Sequence, residues 1–228
     1  MKQFTPDTLA FLAENHGTNS KDWFNEHKSL FQQYVMEPLT ALTEALAPTV
    51  KAIDEKMVTD AKVDKTISRI WCDMRYSRGL MFRDMMWISF RRYKAEYPGW
   101  PEFFVIISPK SFFYGCGYYS ASSAVMDKIR SLILAGDPHW LRAKGAYRNQ
   151  NTFRLGDERY KRARYPDAPE DNREWLEQKS LCFLHYPGVD AMFEDNLADT
   201  VAADWMTMKP VHEFLVYAEE CVMMEQMH

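Results

Sequence analysis

The sequence E-F-F-V-I-I-S-P-K-S-F-F-Y-G-C-G-Y, at residues 102–118, decides the fold class. It holds two runs of aromatic and branched residues, 102–108 and 111–118, separated only by Pro109 and Lys110. Short runs of this kind on either side of a turn are typical of a β-hairpin. Because residues 103–107 are continuously apolar, we predict that the first run is a central strand with both faces covered.

The sequence around this hairpin predicts a single α+β domain. Further strands are expected at residues 66–71, 85–93 and 180–185, where branched and aromatic residues again concentrate. Helical periodicity dominates both ends of the chain. We therefore expect one domain, 1–228, in which a mostly antiparallel central sheet is packed by N- and C-terminal helices. Its parts are a helical region (1–53), a sheet-rich region (57–120) and a mixed region with helices and one further strand (121–228).

Capping residues place several helix boundaries. Thr5-Pro6 predicts a helix start, and this helix is expected to stop at Gly17. Asn19 or Ser20 then caps a second helix, and Ser122 caps a helix that Gly136 ends. Residues 148–169 show no periodicity and are predicted to form a loop.

Charge is distributed unevenly along the chain. The net charge is −4, yet residues 62–94 carry nine Lys/Arg against three Asp/Glu, and residues 142–164 carry eight against two. Each of these blocks is therefore +6. Residues 165–228 carry three against fourteen, a balance of −11. Such blocks attract each other in the fold or present faces of opposite sign.

The four cysteines, Cys72, Cys116, Cys182 and Cys221, form no C-x-x-C pair, which favours small buried side chains over a disulfide framework. No apolar run reaches the roughly 18 residues of a membrane span, and the polar N-terminus does not resemble a signal peptide. These features predict a cytoplasmic protein.

The strongest candidate site lies in I-S-R-I-W-C-D-M-R-Y-S-R-G-L-M-F-R, residues 67–83. If the segment is an unbroken strand, Arg69, Asp73 and Arg75 share one face, and Asp73 lies between two guanidiniums. The arrangement is either a structural row of ion pairs or a holder that orients both arginines toward a phosphate or carboxylate. Arg83 is a further basic candidate.

A second basic cluster follows in the predicted loop. Arg154, Lys161 and Arg162 are its candidate ligand-binding residues, and Arg159 and Arg164 lie beside them. Loops carry binding residues more often than regular elements do. The cluster supplies the other half of an anion pocket, or it is a solvated loop that meets the acidic C-terminal helices.

Other functional classes lack their motifs. The segment R-Y-K-R-A-R mixes basic and aromatic residues, as nucleic-acid-binding segments do. A nucleic-acid partner is nevertheless not expected, because the chain has no helix-turn-helix, RNP-like or zinc-finger pattern and its pI is 5.9. The six histidines show no metal-ligand spacing, so no metal is predicted. G-C-G at 115–117 is no dinucleotide fingerprint, and no cofactor is expected.

Four motifs carry a resemblance to a known family. They are F-L-A-E-N-H…K-D-W-F-N-E-H-K at 11–28, I-S-R-I-W-C-D-M-R-Y-S at 67–77, G-C-G-Y at 115–118, and G-D-E-R-Y-K-R-A-R at 156–164 with Lys179-Ser180. Together they resemble the uncharacterised bacterial family known as domain of unknown function 2461. The resemblance spans nearly the whole chain and implies a fold, but no reaction.

This chain departs from the family pattern after Ser77. The family usually continues with an Asp-Lys pair and Pro-Tyr-Lys, whereas here residues 78–83 read R-G-L-M-F-R and are one residue shorter. Only Arg83 can replace the final basic group, which implies that any site built on the missing pair is altered or lost here.

Two hypotheses follow. In the first, an Arg-rich pocket binds a small anionic or phosphorylated ligand, and any catalysis rests on electrostatic stabilisation by the guanidiniums. In the second, the protein is a non-catalytic structural or interaction protein and the Arg/Asp network is purely structural. The sequence names no protein partner and does not decide whether the protein is an enzyme.

Overall fold

The structure is a computed structural model that describes residues 3–73, 75–77 and 79–226. The fold is α+β, which confirms the prediction from sequence. Five strands form one antiparallel sheet in the order β1-β2-β3-β5-β4. Their bounds are Met86–Phe90 (β1), Glu102–Ser108 (β2), Ser111–Gly117 (β3), Arg154–Leu155 (β4) and Cys182–His185 (β5).

The described residues divide into two compact units. The first contains those of 1–90, 104–114 and 186–202, and the second those of 91–103, 115–185 and 203–228. Over the described part of the chain, no helix combines the length and apolar character that crossing a bilayer requires.

The first unit begins with a helical region, which the sequence predicts for residues 1–53. Its helices are Pro6–Thr18 (α1), Lys21–Glu26 (α2), Lys28–Phe31 (α3) and Glu37–Ile53 (α4), with a π-helical turn at Gln32–Met36 before α4. The expected stop at Gly17 is wrong by one residue. The helix ends at Thr18 because Asn19 takes the left-handed conformation, with φ 49°, and its N–H donates to the carbonyl of Asn15.

One face of α4 builds the core of the first unit. Leu39, Leu42, Leu46 and Val50 recur at helical spacing and are fully buried, and α4 packs on β1. The sequence predicts a strand at 66–71, and this prediction is wrong. The described segment forms isolated bridges rather than a strand: Ile67 with Ile88 and with Val63, and Trp71 with Phe82. Turns at residues 62–67 and 73–76 limit its pairing with β1 to a short stretch, where the Ser68 N–H donates to the Trp87 carbonyl and the Ser89 N–H donates to the Thr66 carbonyl.

The second unit packs helices around an aromatic core. Its helices are Ser123–Ala135 (α5), Pro138–Arg148 (α6), Glu170–Leu176 (α7) and Lys209–Gln226 (α9). A further helix, Leu197–Thr207 (α8), comes before α9 and contains residues of both units. Ser122 caps α5 through its hydroxyl, which accepts from the Val125 N–H, and Gly136 ends it with φ 66°. The rings of Trp140 and Trp175 meet edge to face at 4.8 Å between centroids.

A short strand interrupts the predicted loop at 148–169. Residues Arg154 and Leu155 pair antiparallel with Leu184 and Phe183 of β5. Two residues are too few to produce an alternating pattern, so sequence periodicity could not reveal β4. The strand anchors the start of the second basic cluster.

A buried carboxyl on α9 makes the stability of the second unit depend on pH. Glu219 lies beside Tyr118, whose hydroxyl donates to the Leu215 carbonyl at 3.2 Å. Burial raises the pKa of Glu219 from its ordinary 4.5 to about 7, while the nearby Tyr118 hydroxyl opposes this shift. The folded state therefore holds a proton that the unfolded state releases between these two pKa values.

We expect the free energy of unfolding to fall as pH rises from about 4.5 through about 7, because the unfolded state binds fewer protons over this range. Glu219→Gln removes this contribution. The free energy of unfolding of the variant minus that of wild type should therefore be larger at about pH 8 than at about pH 5. Urea unfolding at both pH values measures the difference. Glu213→Gln, at an exposed position of the same helix, is the control: its difference from wild type should be the same at both pH values. Parallel pH profiles for wild type and Glu219→Gln would contradict the assignment.

Candidate functional site

Residues 71–83 form a hairpin-like loop, which we call the 71–83 loop. Two backbone hydrogen bonds close it, from the Cys72 N–H to the Met81 carbonyl and from the Arg83 N–H to the Ile70 carbonyl, both 2.8 Å. Trp71 and Phe82 are directly opposite each other at its base. Met74 and Arg78 lie outside the described residues, so the structure describes the loop apart from these two positions.

An aromatic cluster supports the base of the loop. The rings of Trp71 and Phe82 lie 4.4 Å apart between centroids. Phe24 of α2 packs against both, at 5.4 Å from Trp71 and 5.0 Å from Phe82. The motif segments at 11–28 and 67–77 thus meet in one core, since each contributes rings to it.

Polar side chains at the end of α1 hold the far strand of the loop. The Asn19 amide donates to the Gly79 carbonyl at 3.1 Å and accepts from the Met81 N–H at 2.7 Å. The Nδ1–H of His16 donates to the Phe82 carbonyl at 2.8 Å. These three bonds satisfy loop backbone groups as a neighbouring strand would.

Asp73 and Arg75 form a two-point ion pair on the loop. Arg75 Nε lies 3.0 Å from one carboxylate oxygen and Nη2 lies 2.7 Å from the other. The Arg75 N–H also donates to Asp73 at 3.1 Å. The side-chain hydrogen bond from Arg75 is the main cause that lowers the pKa of Asp73 to about 2. The Arg75 side chain is nevertheless 77% exposed.

The predicted pairing of Asp73 with Arg69 is wrong. Arg69 donates from Nη2 to Asp64 at 2.6 Å, and its Nε binds the other oxygen of the same carboxylate. The prediction assumed an unbroken strand, whereas the chain turns at Asp73, where the Tyr76 N–H donates to the Asp73 carbonyl at 3.0 Å. Asp64 is available to Arg69 because its left-handed backbone, with φ 68°, closes the preceding turn.

Arg83 lies at the base of the loop and makes contacts of its own. Its positive charge is the smallest of the causes that lower the pKa of Asp73. Arg83 Nε donates to the Trp71 carbonyl at 3.1 Å, and its guanidinium carbon lies 4.8 Å from the centre of the Trp87 ring. Both contacts fix the orientation of the Arg83 fork.

The second basic cluster lies in the second unit. Arg154 donates from Nη1 to the Phe153 carbonyl at 3.1 Å. Lys161 and Arg162 are exposed, and neither side chain bonds to another described residue. Their participation in one pocket with Arg69 and Arg75 stays a prediction.

A buried carboxylate organises the chain around this cluster. Glu177 accepts hydrogen bonds from the backbone N–H groups of Arg164, at 2.8 Å, and Tyr165, at 2.7 Å. The Arg164 guanidinium lies 3.5 Å from the centre of the Tyr160 ring. Arg130, buried on α5, donates to the Gln178 carbonyl at 2.8 Å. The cluster is therefore a fixed segment of irregular chain.

The sequence did not reveal the positioning roles of four residues: His16, Asn19, Arg130 and Glu177. Asn19 carried a signal, since asparagine directly after a helix is a common left-handed cap. The other three carried none, because their roles depend on partners distant in sequence. Within the described chain, no group of three or more His, Cys, Asp and Glu side chains is arranged to hold a metal ion.

Comparison with known proteins identifies a family. The model of a family described as a conserved hypothetical protein, DUF2461, matches residues 7–214. No curated protein matches the chain.

Proposed function

This chain belongs to the conserved hypothetical protein family DUF2461, and we propose that it binds a small molecule through a phosphate or carboxylate group at the 71–83 loop. The guanidiniums of Arg75 and Arg83 bind the anionic group, and Asp73 orients Arg75. The proposal concerns binding. Any turnover would rest on the same guanidiniums, which stabilise negative charge as it develops.

The observation that carries the proposal is that the 71–83 loop presents two guanidiniums, those of Arg75 and Arg83, each with N–H groups left over for a ligand. Arg75, Asp73 and Arg83 sum to a charge of +1, so the group as a whole attracts an anion. Arg75 uses Nε and Nη2 on Asp73, and Arg83 uses only Nε, on the Trp71 carbonyl. The remaining N–H groups of both forks have no acceptor among the described residues, and paired guanidinium N–H groups match the geometry of oxyanions.

Preorganisation of the loop supports the same function. Flexible arginines lose side-chain entropy when a ligand orders them, which reduces affinity. Here Asp73 holds Arg75, while the Trp71 carbonyl and the Trp87 ring hold Arg83. Asn19 fixes the loop backbone on α1. Much of the ordering cost is therefore met before the ligand arrives.

Exposed aromatic rings on the loop suggest the rest of the ligand. Trp71 is 38% exposed and Tyr76 is 79% exposed. A ligand whose anionic group is attached to an apolar or aromatic body would bury part of this surface, which adds affinity that inorganic phosphate lacks. We therefore expect phosphomonoesters with an organic group to bind more tightly than phosphate itself.

The same exposed residues favour a second candidate function, a protein-interaction surface. Leu80 and Met85 are also exposed, each at 39%. In this alternative the ion pairs Arg69–Asp64 and Arg75–Asp73 are purely structural. It predicts that the isolated protein binds no small anion.

The proposal includes a cytoplasmic location in a bacterium. All four cysteines are free, which suits a reducing compartment. Burial raises the pKa of Cys116 and, to about 12, that of Cys182, so both thiols are held in the unreactive protonated form.

Titration calorimetry with phosphate, pyrophosphate and an aromatic phosphomonoester tests the proposal. Arg75→Gln and Arg83→Gln are each expected to weaken binding by about 10-fold or more, because a hydrogen bond to a charged group contributes about 1.5–3 kcal/mol. Affinity should also fall as salt is raised.

Arg69→Gln is the matched control. Its guanidinium is exposed and bound at two points to one carboxylate, as Arg75 is, but that carboxylate is Asp64. We expect its affinity to stay within about 2-fold of wild type, because an exposed charge that is already paired in water contributes little. Equal losses in all three variants, or no binding of any of the anions, would contradict the proposal, and the second result would favour the interaction surface.

A further inference from the structure

A cleft in the second unit lies apart in sequence from the 71–83 loop and has a different charge pattern. It has a volume of about 470 Å³, within the range of small-molecule sites in proteins. Its lining includes Arg159, Tyr160, Glu170, Arg173, Glu174 and Glu177. We call it the α7 cleft, since one wall is the face of α7 on which Glu170, Arg173 and Glu174 recur.

Some of the charges at the α7 cleft already have partners. The Glu177 carboxylate accepts the backbone N–H groups of Arg164 and Tyr165. Asp171, also in the lining, forms an ion pair of 3.0 Å with Arg148. These groups are not available to a ligand without breaking structure, so they serve to hold the walls.

Other charged side chains of the lining, of both signs, form no ion pair within the described part of the chain. Glu170 and the Arg159 guanidinium have no side-chain partner among the described residues. Arg173 makes one long hydrogen bond, of 3.4 Å, to the Pro166 carbonyl. Glu174 accepts one, of 3.3 Å, from the Tyr147 hydroxyl. Carboxylates and guanidiniums thus line one cleft without forming ion pairs with each other in the described chain.

The walls of the cleft are fixed by the same contacts that order the basic segment. The Tyr160 N–H donates to the Glu177 backbone carbonyl at 3.0 Å, and the Arg164 guanidinium covers the Tyr160 ring. A ligand would therefore meet a formed site, with little ordering cost.

The unpaired charges indicate the chemistry of the ligand. A simple anion would be repelled by Glu170 and Glu174, and a simple cation would be repelled by Arg159 and Arg173. A molecule that carries both an ammonium and a carboxylate complements both sets. We propose that the α7 cleft binds zwitterions of the amino-acid or short-peptide class, with the carboxylates holding the ammonium and the guanidiniums holding the carboxylate.

Three related dipeptides test this proposal by NMR titration of the labelled full chain. Alanyl-alanine carries both charges, its N-acetyl derivative lacks the ammonium, and its C-terminal amide lacks the carboxylate. We expect alanyl-alanine to shift the backbone amide signals around Tyr160 and Glu174 and to bind about 10-fold or more tightly than either blocked form, as expected for the loss of one charge-assisted interaction.

Paired variants assign each end of the ligand. The double variant Glu170→Gln, Glu174→Gln should bind alanyl-alanine no more tightly than the acetylated form. The double variant Arg159→Gln, Arg173→Gln should bind alanyl-alanine no more tightly than the amide. Glu194→Gln, an exposed site in the first unit, should change neither preference. Equal affinity for the three dipeptides, no shifts with any of them, or unchanged preferences in the variants would overturn the proposal. None of these results bears on anion binding at the 71–83 loop, because the variants leave that loop intact.

Discussion

Replacing Gly117 by alanine is expected to lower the free energy of unfolding by about 3–5 kcal/mol, among the largest effects of a single substitution in this chain. A Cβ at this position would lie 2.3 Å from the Leu181 carbonyl oxygen and 3.0 Å from the Cys182 Cα. Both are backbone atoms, so no side chain can move aside. The same Leu181 carbonyl accepts the Tyr118 N–H at 2.8 Å, and the backbone φ of 124° adds strain of its own.

Two other glycines separate the clash from the backbone effect. Gly136 has φ 66°, but no atom lies within 4 Å of the position that a Cβ would take, so Gly136→Ala should cost about 1–2 kcal/mol from strain alone. Gly145 lies inside α6 with open space around it, and Gly145→Ala should stabilise the chain by about 0.5–1 kcal/mol. Urea unfolding gives all three values. A Gly117→Ala cost no larger than that of Gly136→Ala would show that the close approach to Leu181 is not rigid.

Loss of Arg130 is expected to have the second largest effect. The side chain is buried, and it donates to the Leu176 carbonyl at 3.2 Å, the Gln178 carbonyl at 2.8 Å and the Tyr160 hydroxyl at 3.4 Å. Arg130→Met leaves these acceptors without a donor, and each unsatisfied buried group costs about 1–3 kcal/mol. We expect a total loss of about 3 kcal/mol in the free energy of unfolding.

Two variants on the same helix bracket this effect. Arg130→Lys keeps the charge but not the planar fork, so it should recover only part of the loss. Lys128→Met removes an ion pair with Glu225, whose side chain is 61% exposed, and should cost less than about 1 kcal/mol. Arg130→Met should also release the segment around Tyr160, which faster amide hydrogen exchange there would reveal. An exchange rate unchanged from wild type would contradict the role assigned to Arg130.

The sequence predicted the fold well where local patterns are strong. The hairpin at 102–118 and the helix between Ser122 and Gly136 were predictable, because apolar runs, turn residues and caps act over a few positions. The strand at 66–71 was predicted wrongly, since its apolar and branched residues suit a strand, but turns on both sides limit it to single bridges. Tertiary context overrode local propensity there.

The candidate site was predicted in composition but not in geometry. The sequence identified Arg69, Asp73, Arg75 and Arg83, yet it placed Asp73 between Arg69 and Arg75, whereas Arg69 pairs with Asp64 and Asp73 pairs with Arg75. An assumed strand gives a regular alternation of side chains, whereas the real loop reverses direction at Asp73. Contacts such as those of Asn19 with residues 79 and 81 join positions some 60 residues apart, and no local pattern encodes such contacts.

The side-chain Nε–Hε signals of the arginines test the central claim most directly. In an NMR titration with an aromatic phosphomonoester, the signals of Arg75 and Arg83 should shift together along one binding curve, while that of Arg69, bound to Asp64, stays in place. Arginine N–H groups that bind an oxyanion change their chemical environment, and those that stay paired with another carboxylate in water do not. Shifts of Arg69 equal to those of Arg75 and Arg83, or no shift of any of the three at saturating ligand, would contradict the account.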